Sequence, residues 1–228
     1  MMTTRAIFFA ALLLPAAPLR ASDPSGSARL IHASGRVTIE SKSGGRPAKS
    51  GTALAAGDSV STATGAVAVV ELPDGSRLKL RESSRLVVTL PGPESTATEA
   101  FLSRGSMFAK VTKRLSGREF RVRTTSAVAA VRGTEFFTAY GRSHGKNSDL
   151  WVCVNEGSVE LKTTKSKKGL LVPAGQGVLI QSGLDFTKPQ AYGWTKNLNW
   201  NMDAEKGAVE DKTNLDSAYS DLLDQDYH

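Results

Sequence analysis

The sequence predicts an all-β fold: an irregular β-roll, a β-solenoid-like stack or a sandwich of about twelve short strands, followed by a short polar tail with one helix. Three observations carry that expectation. Short runs of apolar or alternating residues recur along the body, glycine-containing turns separate them, and no amphipathic helical period develops before the tail.

The elements follow in order. Val37 to Glu40 opens the series, and Val67 to Leu72 is apolar on both faces, as a central strand should be. Pro73-Asp74-Gly75-Ser76 then places Asp-Gly where a tight hairpin wants positive φ. The next strand, Arg77-Leu78-Lys79-Leu80-Arg81, alternates, which points its leucines at a core and its cations at water. Leu86 to Leu90 follows, then a Pro-, Ser- and Thr-rich loop from Pro91 to Glu99, then a strand from Ser106 to Val111 opened by Gly105. Phe120 to Thr125 alternates again, and Ala127 to Val131 and Glu135 to Tyr140 flank Arg132-Gly133-Thr134. Trp151 to Asn155, Val159 to Lys162, Leu170 to Val172 and Val178 to Ile180 complete the set, with Asn155-Glu156-Gly157 as a second glycine turn. Ser41 to Gly51, Gly141 to Asp149 and Thr163 to Gly169 read as polar excursions, the places where a stable sheet usually presents binding residues. Beyond Gln181 the β pattern fades; Trp194 and Trp200 are expected to pin the tail to the sheet, ahead of a helix over Asn214 to Leu223.

At the N-terminus Arg5 precedes an apolar run from Ala6 to Leu14, then prolines and small residues to Ala21, the pattern of a secretory signal peptide cleaved near Ala21. The run falls short of the ~20 apolar residues of a membrane span, so a periplasmic or secreted protein without a stable span is expected. The chain divides accordingly into a signal peptide (1–21), a β domain (22–184) and a polar, acidic tail (185–228). A lone cysteine, Cys153, cannot form a disulfide within the chain and is expected to pack as a small buried apolar side chain.

The formal net charge of +7 is unevenly spread. Residues 199–228 hold eight acids against Lys206 and Lys212, whereas residues 22–198 hold 25 basic and 14 acidic residues. A basic body favours anionic partners, such as an acidic protein surface, an acidic glycan or lipid phosphates. The alternative is that the acidic tail folds back and neutralises the body.

The most informative stretch is Ala127 to Phe137, an apolar strand halted at Arg-Gly-Thr and resumed through two aromatics. Around it stand Gly57-Asp58 with Ser61-Thr62, the run Glu71 to Leu80, Gly105, Asn155 to Leu161 and Pro173-Ala174-Gly175-Gln176. In that order they resemble the FecR domain family over roughly Ala28 to Ile180. The resemblance implies a roll or irregular solenoid and an extracytoplasmic sensing role, in which the domain relays receptor occupancy to a segment controlling a sigma factor. The expected departures are that no cytoplasmic segment precedes the apolar run and that the tail is too short for a receptor-docking domain.

Catalytic chemistry is not expected. His32, His144 and His228 are isolated, no metal-ligand spacing occurs, and no cofactor is implied. Glu135 and Glu156 could in principle form a glycan-cleaving pair, but they read as a strand-edge charge and a turn residue. The densest cationic run contains Arg104, Lys110, Lys113, Arg114, Arg118, Arg121 and Arg123, and the candidate binding patch is Lys113, Arg114, Arg121 and Arg123. It lacks interleaved aromatics for base stacking, so nucleic acid is not expected. The bland alternative is a solvated face. Arg132, Gly133, Thr134 and Phe136 are read as structural, with glycine meeting a backbone need. The function expected is an exported, non-catalytic binding or sensing module at the bacterial envelope, with a protein or an anionic glycan or lipid component as partner; a structural envelope or glycan-binding protein is the alternative.

Overall fold

A computed structural model describes residues 27–92, 96–113, 119–143, 148–164, 169–181 and 185–224. Its strands are β1 (Ala28–Ser34), β2 (Val37–Ser41), β3 (Gly44–Pro47), β4 (Ala53–Leu54), β5 (Ser59–Thr62), β6 (Val67–Glu71), β7 (Arg77–Leu80), β8 (Arg85–Thr89), β9 (Thr98–Lys110), β10 (Phe120–Arg123), β11 (Ala127–Val131), β12 (Glu135–Ser143), β13 (Ser148–Glu156), β14 (Ser158–Thr163), β15 (Gly169–Pro173) and β16 (Gly177–Ile180). The 3-10 turns Gly193–Asn197 and Ala204–Lys206 and the helix α1 (Leu215–Asp224) follow. The fold is all-β, as the sequence predicts.

The strands form two layers. Sheet A runs β4-β1-β6-β7-β9-β12-β13-β16 and is antiparallel throughout. Sheet B runs β3-β2-β5-β8-β9-β10-β11-β14-β15, with β9 and β10 its parallel pair. β9 belongs to both. Its first half pairs in sheet B and its second half in sheet A, and Gly105 (φ +87°) stands at the transition. A Cβ there would lie 2.2 Å from Ser84 Oγ, so the bend needs both the left-handed backbone and the missing side chain. The sequence marks only Ser106 to Val111 of this strand, because a Pro-, Ser- and Thr-rich approach hides the register of Thr98 to Arg104.

Alternation then assigns each residue to a face. In sheet A the row Val70–Leu78–Ala109–Phe136–Val154 points inward, where it meets Val37, Ile39, Val60, Leu86, Leu102, Phe120, Val122, Leu161 and Val172 of sheet B in one core. β6 is central and buried on both faces, as its sequence requires. The row facing the other way, Val69–Lys79–Phe108–Phe137–Cys153, does not face water. It forms a second core with Trp151, Leu179, Tyr192, Leu198, Met202, Val209 and Ala218, so residues 185–224 cover the outer face of sheet A.

This cover overturns one expectation. The cations of Arg77 to Arg81 were expected in solvent, yet Lys79 is fully buried and Arg81 nearly so. The alternation is real, but the face it marks as solvent is roofed by a segment more than a hundred residues away.

β1, β3 and β4 lie outside the strands that the sequence predicts, and β5 is signalled only by the glycine turn of Gly57-Asp58-Ser59-Val60. A register shift between Leu30 and His32 breaks the period of β1. β5 holds one core residue, Val60, between polar neighbours, and β3 is Gly-Gly-Arg-Pro with every residue exposed. Such strands exist through their pairing, not through local preference.

Candidate recognition surface

The outer faces of the two sheets differ in what holds them. On sheet A, Trp200 packs edge-on against Phe108 with centroids 5.2 Å apart, and Trp194 meets Trp151 at 5.5 Å and Phe137 at 6.4 Å. The tryptophans thus pin the tail. Lys79 Nζ lies 4.2 Å from the centroid of Phe108 and donates to the carbonyls of Asn199 (2.5 Å), Asn201 (2.9 Å) and Val209 (3.1 Å). Burial pulls its ammonium down to about 8, against the opposing pull of Asp211. Arg81 donates to the carbonyls of Asp211 and Thr213 and sits 3.4 Å from the Asp211 carboxylate. Arg142 pairs with Asp216, and the Tyr219 hydroxyl donates to Asp149. The acidic tail folds back onto cations of sheet A.

A groove of about 940 Å³ runs between this tail and the backbone around Gly65, Gly105 and Gly141. Its walls include Arg81, Glu82, Arg142, Asp149, Trp151 and Tyr219. Most of these polar groups pair with one another or with backbone, so the groove is chiefly the seam of the tail. Among the described residues no cluster of three His, Cys, Asp or Glu could hold a metal. Cys153 is buried and its thiol is pushed up to about 12 by desolvation, which makes it a poor nucleophile. Glu135 is buried and held by Lys110 (3.1 Å) and Asn155 (2.6 Å); it faces Glu156 in register but its carboxylate is already engaged.

On sheet B neither apolar cluster reaches the outer face. Two neighbouring rows cross it: Val87–Phe101–Arg123–Val128–Lys162 and Thr89–Glu99–Arg121–Ala130–Glu160–Leu171. Phe101, Val87, Val128 and Ala130 are half-buried by their neighbours, and charges surround them. Arg121 pairs with Glu119 at 2.5 Å, Arg123 with Glu99 at 3.6 Å, and Lys162 with Glu160 at 2.9 Å. Arg123 also stacks over Phe101 at 5.5 Å. The Arg121 hydrogen bond holds the Glu119 carboxyl below the usual carboxylate range.

Of the sequence-predicted patch, Arg121 and Arg123 project together on this face. Lys113 lies apart from their rows, its side chain against Gly133, and Arg114 falls outside the described residues. Reasoning from sequence missed Phe101, Glu99, Glu119 and Glu160, which turn an apparent cationic cluster into a charge-paired face with an apolar middle. The parallel pairing of β9 with β10, invisible to local pattern, is what brings Glu99 beside Arg121.

Arg132-Gly133-Thr134 is the corner at which the chain leaves β11 in sheet B for β12 in sheet A. Gly133 has φ +61°, and Thr134 Oγ1 donates to the Ser158 carbonyl at 2.9 Å. Ser158 begins β14, just past the return corner at Gly157 (φ +80°). A Cβ on Gly157 would lie 2.8 Å from the Gly133 carbonyl oxygen, so the two corners interlock through backbone. Phe136 is fully buried in the inter-sheet core, and Arg132 is exposed.

Residues 58–160 match the family described as FecR protein. The fold is similar to two crystal structures of a candidate anti-sigma factor from Parabacteroides distasonis ATCC 8503. Their TM-scores are 0.52 and 0.51 at 20% and 21% identity, each covering 72% of both chains. No curated protein matches. The FecR match spans the shared strand β9 and both interlocked corners.

Proposed function

We propose that this chain is an exported, non-catalytic FecR-type recognition module that binds a protein partner at the bacterial envelope through the outer face of sheet B. The observation that carries the reading is the contrast between faces: the tail seals one sheet, while the other keeps an apolar middle ringed by paired charges. That is the composition of a protein interface, whose centre is apolar and whose rim is polar. The resemblance of residues 58–160 to the FecR family and the fold shared with a candidate anti-sigma factor support a regulatory role. Arg132 to Thr134 then serve as scaffold, and Arg121 and Arg123 as contacts.

Among the partners considered from sequence, a protein is favoured over an anionic glycan or lipid because Arg121 and Arg123 already have carboxylate partners. Exposed ion pairs are weak and exchange readily for a partner's charges, whereas a polymer of phosphates or uronates would be met by Glu99, Glu119 and Glu160 as well. Export rests on the signal-like segment 1–21, which lies outside the described residues; among those described, no helix is long and apolar enough to cross a membrane.

The test is co-purification of the tagged chain and an Arg121→Glu/Arg123→Glu variant with envelope fractions of the native host. Saturable capture of one protein by the wild type, lost in the variant, supports the reading. Salt-sensitive capture of many anionic polymers, equal in both, would favour the glycan or lipid alternative.

A further inference from the structure

The margins of the sheets are unequally protected. β16, the edge of sheet A, is bridged by Gln190 and Phe186 of the tail. β4 is only two residues long, and β3 is a four-residue strand with two glycines and Pro47. β15 is five residues long, has its glycine and its proline only at its two ends (Gly169 and Pro173), and is bridged by no described segment of the tail. Among the described residues it pairs with β14 alone, carries no charge in Gly-Leu-Leu-Val-Pro, and holds Leu171, which at 60% exposure is the one exposed large hydrophobic. Its middle, Leu170 to Val172, lacks the charge, proline or cover with which natural sheets normally blunt an edge whose free N–H and C=O groups would template a further strand.

We infer that β15 is a strand-acceptor edge, at which an extended segment of the protein partner adds to sheet B. The inference deepens the proposed function and rests on its protein-partner reading. The chemistry of the incoming strand can be read from the register. Leu171 stands beside Glu160, and Gly169 beside Lys162, on the outer face. Gly169 has no side chain, and the ends of its neighbours lie over it: a Cβ there would be 3.2 Å from Glu160 Oε1 and 3.4 Å from Lys162 Cε. The Glu160–Lys162 pair therefore overhangs the open edge, with both side chains about half exposed. A partner strand suited to this edge has an apolar side chain beside Leu171 and, two residues along, a carboxylate that takes Lys162 from Glu160. The surplus of basic residues over 22–198 favours that sign. Backbone hydrogen bonds would supply the affinity and alternate side chains the specificity.

Two labelled heptapeptides test this: alternating Thr and Val with one aspartate two residues from the central valine, and the same peptide with lysine in that place. The expected result is at least ten-fold tighter binding of the aspartate peptide, with slowed amide exchange confined to β14 and β15, and at least ten-fold weaker binding to a Leu171→Glu variant of unchanged melting temperature. No measurable binding of either peptide, no difference between wild type and variant, or protection elsewhere would overturn the inference. Sedimentation of the chain alone should give a monomer; a dimer dissolved by Leu171→Glu would assign the edge to a second copy and overturn the partner assignment. If the captured partner survives Leu171→Glu but is lost on charge reversal at Arg121 and Arg123, the face reading stands and the edge inference falls.

Discussion

The outer faces of sheet A and sheet B are built from the same alternation, yet one has become core and the other has stayed surface. On sheet A the outward row contains Phe108, Phe137 and Cys153, too apolar to leave wet, and residues 185–224 close over it. On sheet B the outward rows interleave small apolar groups with cations and acids that pair across strands. The difference lies in how cations are satisfied. Lys79 donates hydrogen bonds to three backbone carbonyls of the tail, whereas Arg121 and Arg123 hold surface carboxylates that a partner can replace. A buried cation locks a segment in place, and an exposed pair leaves a face open to exchange.

The comparison can be broken from its structural side first. Ending the chain before Asp185 would bare Val69, Phe108, Phe137, Trp151 and Leu179; fully burying one such side chain is worth about 1.5–3 kcal/mol. The expected outcome is loss of a cooperative unfolding transition by circular dichroism. A truncated chain that melts like the full one would show that the tail is an accessory. The next largest effect is expected at the corners joining the sheets. Gly157→Ala combines a left-handed backbone with a clash against the Gly133 carbonyl and should cost about 2–3 kcal/mol by denaturant titration. Gly133→Ala should cost less, because its clash is with the flexible Lys113 side chain.

Lys79 makes the lock pH-dependent. Its folded-state value near 8 lies below the ordinary 10.5, so between these values the folded chain binds fewer protons than the unfolded one. Stability contributed by this group is therefore present above about 10.5 and lost as pH falls through 8. Relative to Lys79→Met, the wild type should gain up to about 3 kcal/mol between pH 8 and 10.5, as 1.36 kcal/mol per pKa unit implies. Comparing variant with wild type removes the opposing contribution of Cys153, whose raised value lowers stability above pH 9. A flat difference across that range would mean that the ammonium is not desolvated. The smallest effect is expected on sheet B: Arg121→Gln with Arg123→Gln should move stability by no more than about 1 kcal/mol, because both ion pairs are exposed.

The same contrast explains what was legible in the sequence. β10 and β14 read correctly because their alternation matches their burial residue by residue. The turn at Pro73 to Ser76 was legible because Gly75 takes the positive φ that its sequence implies. Lys79 was misread for the same local reason: alternation reports which face a residue occupies and says nothing of what lies over that face. The charge pairing of Arg123 with Glu99 was hidden in a strand that the preceding loop disguised, and in a parallel pairing that no short-range pattern encodes.

If sheet B's outer face is the one open to a partner, only that face should lie against a bound protein. Placing a photo-crosslinking residue at Val128, in the middle of sheet B's outer face, and in a second strain at Lys196, on the tail over sheet A, compares them directly in the native host. One dominant protein adduct is expected from position 128 and none from position 196. The same adduct from both positions, or from 196 alone, would contradict it.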